Sequence, residues 1–174
     1  VLNANKYKLF NVSGEISLSS EYTVFSMLPV FVSATTSWLI IDMNTRRMVR
    51  NPELASSPET CVFEHAIEEP ADKIVFPTEV EPELAGSHKV VWSDIDTMAH
   101  VNNVRYVCWA LDAVSQETLQ KYPLKEIIVN YDAEVLLDEE VQLYRVIQNM
   151  DEGITVYIQG RVEDKPKFCV KLIF

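Results

Sequence analysis

Residues 102–123 read NNVRYVCWALDAVSQETLQKYP. Val104, Val107, Cys108, Leu111 and Val114 recur at three- and four-residue spacing, the period of a helix with one apolar stripe. Asn102 or Asn103 suits the N-cap, where a side-chain oxygen accepts from an orphan N–H of the first turn. Pro123 stops the segment after Tyr122. The spacing therefore predicts one long helix over 104–120.

Outward from this helix, the chain alternates with period two and is rich in Val, Ile, Tyr and Phe. Strands are expected at 15–25, 30–43 and 89–92 before it, and at 126–137, 141–150, 154–162 and 168–174 after it. Residues 151–153 and 163–166 read as hairpin turns. Ile154, Val156, Ile158 and Val162 give one apolar face, with Thr155, Tyr157, Gln159 and Arg161 opposite, as in a sheet covered on one side and wet on the other. A single apolar-striped helix among consecutive antiparallel strands is most simply buried by the sheet wrapping around it. The expectation is an α+β hot-dog arrangement.

The chain has 174 residues, and 26 acids against 15 bases give a formal net charge of −11. With 48% hydrophobic and 24% charged residues it is an ordinary globular mixture, so disorder and fibrous repeats are excluded. The length suits one domain or two small ones. No apolar run approaches the ~18 residues of a membrane span. The acidity argues against nucleic acid or an anionic membrane surface as partner. Three cysteines without C-x-x-C spacing indicate neither a disulfide framework nor a zinc site, and suggest reduced thiols in a cytosol-like compartment. Val1 with no signal pattern after it suggests a mature or truncated form.

The charge divides the chain. Residues 51–86 hold nine acids against Lys73 alone, together with five of the eight prolines. Proline lacks a ladder donor and biases its predecessor toward extended geometry, so this stretch reads as an interdomain linker lying over the surface. Cys61 and His65 lie within it, without the second pair that a metal site needs. The expected organisation is a partial N-terminal domain over 1–50, this linker over 51–86, and a C-terminal domain over 87–174.

Chemistry is concentrated just before the helix. Ser93-Asp94-Ile95-Asp96-Thr97-Met98-Ala99-His100-Val101-Asn102-Asn103 places two carboxylates, an imidazole and two carboxamides ahead of a helix N-terminus. Such a terminus offers unpaired N–H donors and partial positive charge, suited to an oxyanion on an attacked carbonyl. A carboxylate can activate water, and His100 can orient or shuttle a proton. Read alone, an Asp-x-x-x-His pair such as Asp96 and His100 better fits residues that cap the helix and each other.

The whole string, Asp94-Ile95-Asp96 with His100-Val101-Asn102-Asn103, Tyr106 and Trp109, resembles the signature of acyl-acyl-carrier-protein thioesterases. Ser33-Ala34-Thr35-Thr36-Ser37-Trp38, Asp42 and Thr45-Arg46-Arg47 resemble the strand and turn near the end of that family's first domain. The resemblance implies two tandem hot-dog domains joined by a long connection. By it, Asp96 and His100 match the catalytic aspartate and histidine. Glu134 falls where the family has its catalytic glutamate on the strand after the helix. A carboxylate within that strand also needs a partner or a task on physical grounds, unless it points into solvent.

Three departures stand beside the matches. Met98 occupies the position where the family usually has Asn, and a thioether cannot supply a carboxamide's donors. Val135 follows Glu134 where some members have Cys, which closes a cysteine-nucleophile route there. Cys108 lies eight residues past His100, about 12 Å along a helix, and reads as a small buried hydrophobe. Lastly, residues 1–50 show no helical pattern and 1–12 match no expected element. The first hot-dog is therefore expected to contribute only its late strands, as in a fragment of a longer chain.

The resemblance implies hydrolysis of a fatty acyl thioester on acyl carrier protein, releasing free fatty acid, with no metal or organic cofactor. The carbonyl would sit at the helix start near Asn102 and Asn103. Either Glu134 or Asp96 would activate water while the other orients His100; direct carboxylate attack to an anhydride stays open. An acyl-CoA thioesterase on the same fold and a catalytically impaired acyl-binding or assembly protein are the alternatives. A hot-dog dehydratase is weaker, because its His-Phe-Pro-Gly type signature is missing. For an acidic carrier, Arg46, Arg47 and Arg50 form the only tight basic cluster, which equally fits a solvated strand end. Tandem chains of this kind often pair further, making a homodimer the candidate assembly. The compartment implied is the cytoplasm, or the plastid stroma for a plant chain.

Overall fold

The computed structural model describes residues 2–11, 32–40, 73–151 and 153–174. Its strands are β1 (Leu2–Asn11), β2 (Val32–Ile40), β3 (Glu83–Lys89), β4 (Glu126–Tyr131), β5 (Glu140–Met150), β6 (Gly153–Val162) and β7 (Lys165–Ile173). They form one antiparallel sheet in the order β2-β1-β4-β7-β6-β5-β3. Two helices, α1 (Asn103–Asp112) and α2 (Gln116–Lys121), separate β3 from β4 in sequence.

Local chemistry sets the hairpins. Glu163 and Asp164 have φ of 49° and 62°, the left-handed geometry that a two-residue turn needs at both positions to match strand twist. The expected turn over 163–166 is thus two residues long, with Lys165 already paired to Val162. Gly160 pairs with Phe168, and a Cβ there would overlap the Phe168 ring. The ring lies where any side chain would have to go.

The expected stripe is met in part: Val107 and Leu111 pack partly buried against the core and Val114 is buried, but the centre of the contact between α1 and the sheet lies on neighbouring residues. Tyr106, Trp109 and Ala110 are buried, with Ala113 just beyond, against Val156, Ile158, Phe168, Val170 and Leu172. Val104 is 64% exposed, and Cys108 is only half-buried. Aromatic rings carry the largest apolar area, so they take the centre. Tyr106 lies 4.8 Å from Phe168, 5.5 Å from Trp109 and 5.3 Å from Tyr131, all edge-on.

The predicted single helix over 104–120 is two helices. The Ala113 carbonyl is taken by Arg145 Nη1 at 2.6 Å, and the Ser115 hydroxyl accepts from Thr118 N at 3.2 Å as the N-cap of α2. Serine satisfies a helix start better than a helix interior, so the chain restarts there.

Other boundaries also move. The strand expected over 126–137 ends at Tyr131, because the N–H groups of Asp132 and Ala133 both turn to the Lys167 carbonyl at 2.9 Å. The strand expected at 89–92 lies earlier, and Trp92–Asp94 is a 3-10 turn closed by the Asp94 carboxylate on Val91 N. Strand β3 thus starts at Glu83, inside the acidic stretch. Residues 1–12, unplaced from sequence, supply β1, which joins β4 edge to edge. The strand expected at 15–25 and most of 51–86 lie outside the described residues.

The sheet face away from α1 is not wholly wet. Ile128 and Cys169 are buried there under Ile74, whose N–H donates to the buried Asn130 side chain. On β6, Ile154, Val156, Ile158 and Val162 are buried as the alternation predicts, and Thr155 is buried with them.

Candidate active site

Two loops build the site, one before α1 and one after β4. In the first, the Asp96 N–H donates to the His100 carbonyl at 2.8 Å, and Ile95 bridges Val101. Ala99 takes φ 62°, and its N–H donates to the Asp96 carbonyl at 3.1 Å. The Asp96 Oδ1 accepts from Met98 N at 2.8 Å and His100 N at 3.4 Å. Asp96 and His100 thus meet through the main chain, with the carboxylate bound to the N–H groups of the turn.

The His100 imidazole meets the second loop. Its Nε2 lies 3.3 Å from Glu134 Oε2, with the histidine side chain 19% and the glutamate 39% exposed. Glu134 sits three residues beyond β4 rather than within a strand. Its neighbour Val135 is buried and ties the loops together: Val101 N donates to the Val135 carbonyl at 3.1 Å, and Val135 N donates to the Tyr106 hydroxyl at 3.3 Å. Burial pushes the Tyr106 phenol up to about 12, with the charges of Glu134, Glu139 and Asp96 adding to the effect and the Val135 N–H opposing it. The hydroxyl therefore stays protonated in the working range.

At the helix start, Asn102 is the N-cap, its Oδ1 accepting from Val104 N at 3.0 Å. Its own N–H goes to the Asp94 carbonyl, and the Arg105 N–H to the Asn102 carbonyl. The Asn103 carbonyl accepts from the Tyr131 hydroxyl at 3.0 Å. Among the described residues the Asn103 N–H is then the donor of this turn that no protein acceptor takes. No acidic residue lies in the first turn to offset its partial positive charge.

Asp94, read from sequence as one of two carboxylates near the chemistry, has another task. It is buried, with Oδ2 2.8 Å from His88 Nε2 and 3.0 Å from Val91 N, and Oδ1 3.2 Å from Arg105 Nε. Burial alone would raise its pKa, but the Val91 N–H, His88 and Arg105 outweigh it and hold the carboxyl below the usual value. His88 also packs against Trp109, with centroids 4.5 Å apart and the rings tilted by 31°. This cluster locks β3, the 3-10 turn and α1 together beneath the site. Sequence reading missed His88 and Arg105 because their shared partner is fixed only by the fold.

The remaining expected positions separate. Met98 is 46% exposed at the turn. Arg46, Arg47 and Arg50, and the pair Cys61 and His65, lie outside the described residues. Burial, helped by the Asp132 charge, pushes the Cys169 thiol up to about 12, which makes it a poor nucleophile. Among the described residues no three potential metal ligands come together. No helix there is long and apolar enough to cross a membrane.

Residues 78–168 match the family model of the acyl-ACP thioesterase C-terminal domain, a span that includes Asp96, His100, Asn102, Asn103 and Glu134. The chain is 25% identical to a chloroplastic acyl-[acyl-carrier-protein] hydrolase of Cuphea viscosissima, over 91% of this chain and 42% of that protein. It is 27% identical to the chloroplastic oleoyl-acyl carrier protein thioesterase 2 of Arabidopsis thaliana, over 70% of this chain and 35% of that one. The chain therefore spans well under half of these relatives. Among solved structures, a 12:0-ACP thioesterase from Umbellularia californica superposes with a TM-score of 0.75 at 12% identity, covering 99% of this chain and 72% of the other. An acyl-ACP thioesterase from Bacteroides thetaiotaomicron gives 0.72 at 18%, covering 99% and 76%. These structures share the hot-dog fold found here, and with a family model covering more than half of its residues the chain belongs to the acyl-ACP thioesterase family.

Proposed function

We propose that this chain hydrolyses fatty acyl thioesters of acyl carrier protein, giving a free fatty acid and the carrier thiol. The observation that carries the reading is the His100–Glu134 pair at 3.3 Å, assembled from two loops beside an acid-free helix start. The thioester carbonyl sits against that start, and its developing negative charge accepts from the Asn103 N–H. A donor of this kind contributes roughly 10²–10³ in rate.

Glu134 acts as general base on a water held with His100, worth roughly 10²–10⁴. The water oxygen adds to the carbonyl, the tetrahedral intermediate expels the sulfur, and the abstracted proton returns to the thiolate by way of His100. Asp96, already accepting from two main-chain N–H groups, holds the turn that presents His100. This division of roles favours Glu134 over Asp96 as base.

The carrier protein is the partner, and Arg46, Arg47 and Arg50 are its proposed contact, matching basic side chains to an acidic protein. A homodimer is the proposed assembly, and the proposed compartment is one holding the carrier, the cytoplasm or a plastid stroma. We assign β1 and β2 to the first hot-dog domain over 1–50 and β3 onward to the second, which moves the end of the connection back from 86 to before Glu83. The pairing of β1 with β4 supports a sheet continuous across the two.

Free-thiol release from a panel of acyl-carrier-protein thioesters tests the activity, with acyl-CoA substrates alongside. Higher kcat/KM on the carrier supports the reading; equal or better use of CoA favours the acyl-CoA alternative. A second reading, acyl binding without turnover, is favoured by exposed Met98 where the family usually has Asn. Tight acyl binding with no thiol release, unchanged in Met98→Asn, would establish it.

A further inference from the structure

Glu134 lies in the loop over 132–139, where Asp132, Ala133, Leu136, Leu137 and Asp138 are all exposed. Such a segment has few buried contacts of its own to fix a carboxylate. We propose that Lys167 on β7 is the positioning residue for Glu134, an inference that rests on the thioesterase reading for its effect on rate. Lys167 binds three consecutive loop residues. Its main-chain carbonyl accepts from Asp132 N and Ala133 N, each at 2.9 Å, and its Nζ donates to the Glu134 carbonyl at 2.9 Å.

The same ammonium extends the clamp past the glutamate. It lies 3.7 Å from Glu139 Oε1, while Glu139 Oε2 accepts from Leu136 N at 2.8 Å. The Lys167 side chain is only 17% exposed and that of Glu139 28%, so neither is a freely solvated surface charge. The Glu134 main chain is thus held by a strand on one side, while Val135 next to it is held by Tyr106 and Val101 on the other. A carboxylate acting through a partner at 3.3 Å has little tolerance for drift, and a misplacement of about 1 Å can cost about 100-fold in rate.

The test compares Lys167→Met, Lys167→Arg and Glu139→Ala with the parent chain. Both Lys167 variants keep the main-chain carbonyl, so only the ammonium is removed or exchanged. Thiol release by Lys167→Met should fall about 10- to 100-fold in kcat with KM changed less than about 3-fold, and Lys167→Arg should recover most of the loss. Glu139→Ala, which leaves Lys167 in place, should show a smaller fall of the same kind. Amide hydrogen exchange of Val135 and Leu136 should quicken in Lys167→Met and return toward the parent rate in Lys167→Arg. A Lys167→Met protein with parental kcat, or with parental exchange in this loop, overturns the proposal. If the parent hydrolyses no thioester, the functional reading fails, and the exchange rates alone decide the clamp. If Lys167→Met does not fold, Glu139→Ala decides: parental kcat there overturns it.

Discussion

His100 Nε2 and Glu134 Oε2 stand 3.3 Å apart, an imidazole and a carboxylate brought from separate loops to the start of α1. Glu134→Gln keeps the side chain's size but removes its basicity. We expect kcat for thiol release to fall by roughly 10²–10⁴ with KM little changed. Glu134→Ala should abolish measurable hydrolysis, and near-normal turnover by either folded variant would remove the glutamate from the mechanism.

Asp94 links the site to acid stability. Its folded pKa is depressed, so its contribution is fully present above the unfolded value of about 3.9 and is lost as pH falls through the folded one. Asp94→Asn should cost about 2–4 kcal/mol at neutral pH, since Arg105 and His88 lose a charged partner but remain partly solvated. Denaturant melts at several pH values should show a shallower decline below about pH 4 in the variant. A parental acid slope would mean that Asp94 does not carry this pH dependence.

Tyr106 gives a prediction at the alkaline end. With its phenol raised to about 12, Tyr106 should ionise above the ordinary tyrosine range in an absorbance titration, and Tyr106→Phe should delete that step. Folding stability should decline between the unfolded value of about 10 and 12, because the unfolded chain releases the proton first. At neutral pH, Tyr106→Phe leaves the Val135 N–H without its acceptor, a loss of about 1–3 kcal/mol measurable in a melt.

Gly160 tests the packing beneath the helix. A methyl group there meets the Phe168 ring, which itself touches Tyr106 and Trp109. Gly160→Ala should destabilise the fold by about 1–3 kcal/mol, read as a lower denaturation midpoint. An unchanged midpoint would mean that the Phe168 ring moves aside freely.

The features legible in sequence were those carried by local pattern. Period-two alternation located β5, β6 and β7, because a strand with one covered face must alternate wherever it sits. The string from Asp94 to Tyr106 named Asp96, His100 and the helix start, because turn, cap and helix are neighbours in the chain. The same local reading went astray where distant groups compete. It ran one helix through Ser115, where Arg145 from β5 takes the Ala113 carbonyl. It ran β4 through Glu134, where Lys167 from β7 draws the chain off the ladder.

By itself, then, the sequence determined an antiparallel sheet around a helix, the family signature and the candidate site residues. Only the tertiary structure decided which of those groups meet. It placed Glu134 on a loop against His100, turned Asp94 away to His88 and Arg105, and put Tyr106 and Trp109 rather than Val104 on the buried face. The reason is physical: each of these outcomes depends on hydrogen bonds and ring contacts between residues far apart in the chain, which local spacing does not encode.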